Sequence, residues 1–384
     1  MITMLTAYTF EAEDAEYAFN EIIEQLQLKT KQKKYSAGLL FCHPDFIENG
    51  VAQKISASLP FDIIGSTFVA NMINGEDNAH ILSVSLFTSD DIQFAIMKAN
   101  NLEEKESIAR SYTEAIAGHT EQPSLIMAWF PMLMAVGVDD LLTEFDKVTD
   151  GVPIFGGLAC DHTSDYSLWQ LIINGEISRE HAVAIILFGK LQPKFYVANM
   201  AEKHIVRQKS VVTKAIGNVV MEINGNPMTT YLENMGFPKG IGAEYLGCVP
   251  FLINLNDDTN RVARGVTAIT SEGYGTFSGL VPEGSQISVG SIEYGDILRM
   301  TQEVVDAVLA WGIKGGMLMH PCASHFLIMG MEAQDQKDII SQLNKTGLPY
   351  TVAYPGGEIC PIYDDKGNMK NRYHNFTIIV CAFD

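Results

Sequence analysis

Nine residues of this chain, LMHPCASHF at 318–326, put two histidines, a cysteine and a serine directly behind an apolar run. Four chemistries are open to such a set. As a metal site, His320, Cys322 and His325 supply borderline-soft ligands that zinc accepts in tetrahedral geometry, but no second Cys/His pair lies nearby in sequence. As a nucleophile, Cys322 needs a base within hydrogen-bond reach, and neither an oxyanion-hole signature nor a third orienting group accompanies it. As a haem perch, His43 and His320 are the axial candidates, since each stands just before a proline at a strand end. The chain also has 17 methionines, which line haem pockets and ordinary cores alike, and it has no C-x-x-C-H attachment motif.

The fourth chemistry is capture of a small polar molecule. Cys322 is then a small buried residue, and His320 and His325 are hydrogen-bonded loop residues beside a pocket. Backbone donors from glycine loops and the carboxylates Asp161 and Glu358 fix the ligand; carboxylates suit an ammonium group, as an amino acid has. The competing reading of Asp161 and Glu358 is that each caps a turn or pairs with a basic neighbour such as Arg372.

These residues need elements to position them. Short apolar runs alternate with amphipathic ones, which predicts an α/β fold with mixed sheets flanked by helices. Helices are expected at 12–28, 103–118 and about 295–312, and the Asn224-Gly225 pair predicts a hairpin turn. One arrangement occurs three times, at 37–75, 124–162 and 316–358: a strand closed by proline, a helix, and a second strand ending in small residues. Proline after a strand removes an amide donor and stops the ladder. Loops beyond the carboxyl ends of such strands are where ligands gather in α/β proteins. The charged stretch AEKHIVRQKS at 201–210 is the expected boundary between two halves.

Composition narrows the functions. A net charge of −20 on 384 residues argues against nucleic acid and against an anionic membrane surface. The N-terminus lacks a basic region, and the uncharged run 122–138 is short for a span and broken by Pro131, so a cytoplasmic protein is expected. Six dispersed cysteines without a C-x-x-C pair read as free thiols.

Several ordered motifs then resemble one family. VPIFGGLACDH at 152–162, AIGNVVMEINGNPMTTYLENMG at 215–236, FSGLVPEGSQISVGSI at 277–292, and PGGEICPI with RYHNFTIIVCAF near the end are similar to FIST-family sequences over nearly the whole chain. The resemblance implies a FIST-N domain at 1–203 and a FIST-C domain at 210–384. It also implies an intracellular sensory protein that binds a small ligand such as an amino acid and signals through a separate partner. Some members of the family are haem-binding nitric oxide sensors that regulate histidine kinases, which makes haem the alternative cofactor; a Cys-dependent enzyme is the third expectation. The family's functional positions fall on Gly156, Gly157 and Asp161, on Gly357, Glu358 and Ile359, on His374 and Asn375, and on Cys322. The sequence departs at His325, where arginine is usual. Together with His320 and Arg372 these residues form the expected ligand site, with no catalytic role and no required cofactor assigned.

Overall fold

A computed structural model describes residues 1–78, 80–132, 137–163, 166–206, 210–255, 261–330, 333–363 and 366–384. Of the expected boundary segment, 207–209 lie outside the described residues. The fold is α/β, as the alternation of patterns predicts. Four sheets are present among the described residues: three of six strands, and one of eight.

The three expected strand–helix–strand units all form parallel pairs. Tyr35–Cys42 runs beside Asp62–Thr67, Pro123–Phe130 beside Ile154–Leu158, and Gly316–Pro321 beside Tyr350–Ala353. Each first strand also pairs antiparallel with a later one, Leu82–Ser89, Ala182–Phe188 and Ile378–Phe383 respectively. Each of these in turn carries an outer strand, Thr3–Thr9, Gln93–Ala99 and Lys194–Ala198. The chain is therefore three consecutive copies of one unit, spanning 3–89, 93–188 and 194–383. The eight-stranded sheet is inserted into the third copy, and the 203/210 division falls between that copy's outer strand and the insertion.

The copies are locked together by exchange. The hairpin of the first copy, Asn71–Ile73 with Glu76–Asn78, joins the sheet of the third. The second copy's hairpin, Leu171–Ile173 with Glu176–Ser178, joins the sheet of the first, and Glu358–Tyr363 with Met369–His374 joins the second. The exchange is cyclic, so no copy closes its own sheet.

Helices cover the outer faces for local reasons. Asp14 accepts hydrogen bonds from the amides of Glu16 and Tyr17 and so caps Ala15–Leu26, whose Ala18, Ile22 and Leu26 recur at four-residue spacing on the buried side. Burying each large side chain of that stripe contributes about 1.5–3 kcal/mol. Tyr294–Trp311 starts on a reciprocal capping box of Glu293 and Asp296 and stops at Gly312, whose φ of 67° needs no Cβ. The apolar inner faces of all three sheets meet in one core that includes Phe41, Trp129, Phe155, Val352 and Val380.

Pairing register defines equivalent residues. Phe41 lies opposite Ser83, Trp129 opposite Val183 and His320 opposite Ile379, in each case the second residue of the partner strand. The three rings meet at the centre, with centroids 5.4 Å apart for Phe41 and Trp129, 6.0 Å for Phe41 and His320, and 6.1 Å for Trp129 and His320. The position matching His43 is thus Cys322, not His320. Matching the two His-Pro pairs places the third copy out of register by two residues.

Candidate functional site

Cys322 begins the turn that follows Gly316–Pro321. Its backbone N–H donates to the Thr377 carbonyl (3.1 Å), and the next amide, of Ala323, donates to Pro355 (2.9 Å). These bonds draw the end of that strand, the Pro355-Gly356-Gly357 loop and the Asn375–Thr377 turn together. The Cys322 thiol, 3% exposed, donates to Ser324 Oγ at 3.6 Å, and Ser324 donates to the Gly247 carbonyl at 3.3 Å.

Glu358 comes to the same place from the exchanged hairpin, where it pairs with Gly157, while Ile359 pairs with Gly156. The close approach depends on missing side chains: a Cβ on Gly157 would stand 2.7 Å from the Gly357 carbonyl oxygen, and one on Gly357 would stand 2.2 Å from Tyr373 Oη. Glu358 is fully buried. Its Oε2 accepts from Thr377 Oγ1 (2.8 Å) and Thr377 N (3.3 Å), while Oε1 accepts no hydrogen bond of good geometry. Burial pushes the carboxyl up to about 8, against the pull of Thr377, the neighbouring Cys322 thiol and the more distant Arg264 charge. Burial likewise raises the Cys322 thiol, and the Glu358 carboxylate adds to that rise. The site therefore holds a neutral thiol beside a largely protonated carboxyl at neutral pH.

The loop after Ile154–Leu158 covers this pair. Asp161 organises it: Oδ1 accepts from the amide and hydroxyl of Thr163, and Oδ2 from the amide of Leu168 at 2.9 Å. The loop sets the Tyr166 hydroxyl among the thiols of Cys160, Cys322 and Cys248, where burial first and those groups second push it up. Asp161 thus acts on the site through the loop it shapes.

The remaining expected residues separate. His320 is fully buried, its Nδ1 3.2 Å from the Ala353 carbonyl, its ring stacked on Phe155 at 5.0 Å, and burial pushes it down to about 4. His325, one turn beyond Cys322, is fully buried on the side of Phe376 and Asp296, and burial also takes it to about 4. Arg372 and His374 lie on the opposite face of their strand from Tyr373. Burial pushes His374 down to about 3, Nε2 lies 3.2 Å from the Cys360 carbonyl, and the residue borders a recess of about 280 Å³ with Phe195, Arg261 and Tyr363. A larger recess, about 500 Å³, lies in the inserted sheet between Thr229, Leu232, Ile241 and Ile269 and contains none of the expected residues.

Asn375 belongs to a hub that the sequence did not reveal. Arg264, fully buried, donates to Asp139 Oδ1 (3.1 Å), the Tyr373 carbonyl (3.1 Å) and Asn375 Oδ1 (3.3 Å), and lies 4.9 Å over the Tyr373 ring. Asn375 donates back to Tyr373 Oη at 3.1 Å. The available signal was a lone arginine inside the apolar run VARGV. Tyr166 and Thr377 left no comparable trace.

Haem does not fit either axial candidate. His320 is packed on its faces and edges by Phe41, Phe68, Trp129 and Phe155, at 5.0–6.2 Å between ring centroids, which leaves no room for a macrocycle. His43 is ringed by Asp45, His80 and His162, polar neighbours that do not offer the apolar face a haem needs.

Residues 36–226 match the FIST N domain, and the chain belongs to the FIST family. That family is associated with sensory signal transduction and small-ligand binding. No curated protein matches the sequence. Among solved structures, phosphoribosylformylglycinamidine synthase II from Thermotoga maritima aligns with 100% of this chain and 72% of its own at 9% identity and a TM-score of 0.21, too slight to define a shared fold. Among the described residues no helix is long and apolar enough to cross a membrane.

Proposed function

We propose that the protein is a sensory small-ligand-binding protein whose ligand is a primary amine, an amino acid being the simplest candidate, captured where Cys322, Glu358 and the Thr377 turn converge. One observation carries this reading: a fully buried carboxyl with one oxygen that accepts no well-formed hydrogen bond. That oxygen is the one to which an arriving ammonium group would donate as the carboxyl ionises. Ionisation of Glu358 would accompany capture, so binding would release a proton below pH 8. Tyr166 would have to yield, and its loop is the natural route by which occupancy changes the surface offered to a separate signalling partner such as a histidine kinase.

The state of the thiol supports binding over a Cys-dependent reaction. A nucleophilic cysteine needs a lowered pKa, whereas burial and Glu358 raise that of Cys322. The test is a thermal-shift series with amino acids and simple amines on the wild type and on Glu358→Gln. A compound that raises Tm in the wild type and loses that effect in Glu358→Gln supports the assignment. If no amine shifts Tm, or the variant responds equally, the reading fails.

A further inference from the structure

At the strand end equivalent to that of Cys322, the first copy carries a different chemistry. His43 follows Tyr35–Cys42, Asp45 opens the first turn of the helix Asp45–Glu48, and His80 precedes Leu82–Ser89. His43 Nδ1 lies 3.2 Å from Asp45 Oδ1, and His80 Nε2 lies 2.9 Å from Asp45 Oδ2. The backbone N–H of Asp45 also approaches His43 Nδ1, at 3.4 Å.

We propose that His43, Asp45 and His80 form a binding site for one divalent ion of the zinc class. Their ligand atoms all lie within 4.8 Å of one another. Tetrahedral zinc, with arms of about 2.0–2.2 Å, spaces its ligand atoms roughly 3.3 Å apart, so small side-chain rotations close the set. Two imidazole nitrogens and one carboxylate oxygen select zinc, cobalt or nickel over calcium and magnesium, which take oxygen ligands. Asp45 presents both oxygens to the two rings, and Phe46 packs 5.1 Å from the His80 ring, fixing its orientation. His162 stacks on the His43 ring at 4.4 Å, which helps hold its plane, and water would complete the coordination.

The site is independent of the amine reading, because it shares no residue with the Cys322 cluster. It nevertheless adjoins that cluster: His162 directly follows Asp161 in the loop that carries Tyr166.

The test uses the full chain, stripped with chelator and titrated with Zn²⁺ by calorimetry, with Co²⁺ absorption as a second readout. The proposal expects one equivalent of Zn²⁺, at least tenfold weaker binding in both His80→Ala and Asp45→Asn, and a Co²⁺ spectrum without thiolate charge transfer. His80 has a side chain 42% exposed, so its replacement leaves the core intact. Absence of stoichiometric binding would overturn the proposal, as would unchanged affinity in both variants. A thiolate charge-transfer band would also overturn it, by placing the ion on one or more of the six cysteines.

Discussion

Glu358 meets Cys322 only because the hairpin that carries it has crossed into the sheet of the second copy, and the carboxyl arrives there fully buried. Its pKa of about 8 makes a stability prediction. A folded-state pKa above the unfolded value means that the native protein binds the extra proton, so the contribution of Glu358 to stability is full below about pH 4.5 and is lost as pH rises through 8. The slope approaches about 1.4 kcal/mol per pH unit between those limits. Glu358→Gln should flatten that limb in urea denaturation across pH 5–9; an unchanged slope would show that Glu358 is solvated.

Buried histidines act on the other side. Burial pushes His320 and His325 to about 4 and His374 to about 3, so each favours the fold above the unfolded value near 6.5 and loses that contribution as pH falls through its native one. His320→Phe places in the third copy a ring of the kind that Phe41 supplies in the first. It should change stability at pH 7 by no more than about 1 kcal/mol while making the acid limb between pH 6.5 and 4 shallower. A limb as steep as the wild type's would mean that His320 remains hydrated.

Much of the local architecture was legible and the long-range pairing was not. All three strand–helix–strand units could be read because proline stops and helical periods are local signals. The cyclic exchange of hairpins leaves no such signal: Asn71–Ile73 looks the same whether it returns to its own sheet or joins Tyr350–Ala353. The same limit misaligned the copies, because proline follows both His43 and His320 while the ladders put Cys322 at the place of His43. Among site residues, the Gly157, Glu358 and Cys322 neighbourhood was readable from motif resemblance. Arg264 was missed because its partner Asp139 lies 125 positions earlier in the chain.

Gly156 tests the closeness of the two strands that support Glu358. A Cβ there would stand 1.8 Å from the Ala128 carbonyl oxygen, on the parallel neighbour strand. Neither backbone can yield without opening the ladder, so Gly156→Ala should destabilise by at least the about 1–3 kcal/mol typical of overpacking. Gly295 is the control: it lies in the first turn of a helix with nothing within 4 Å of its Cβ position, and Gly295→Ala should be neutral or slightly stabilising. Equal Tm losses in the two variants would contradict the packing argument.

Arg264 and Asp139 join the inserted sheet to the second copy through a pair whose side chains are 0% and 13% exposed. Removing one partner strands the other. Asp139→Ala leaves the guanidinium in the interior facing Tyr373 and Asn375, and also removes the acceptor for the Leu280 amide at 2.9 Å. Losses of about 3–5 kcal/mol are typical when one half of a buried ion pair is deleted. Replacing both partners by apolar residues costs less, since no charge is left without a counter-ion. The double variant Asp139→Leu/Arg264→Met should therefore unfold at a higher urea concentration than Asp139→Ala. If the double variant were the less stable of the two, the hydrogen bonds from Arg264 to Tyr373 and Asn375, rather than the ion pair, would be what joins the insertion to the rest of the fold.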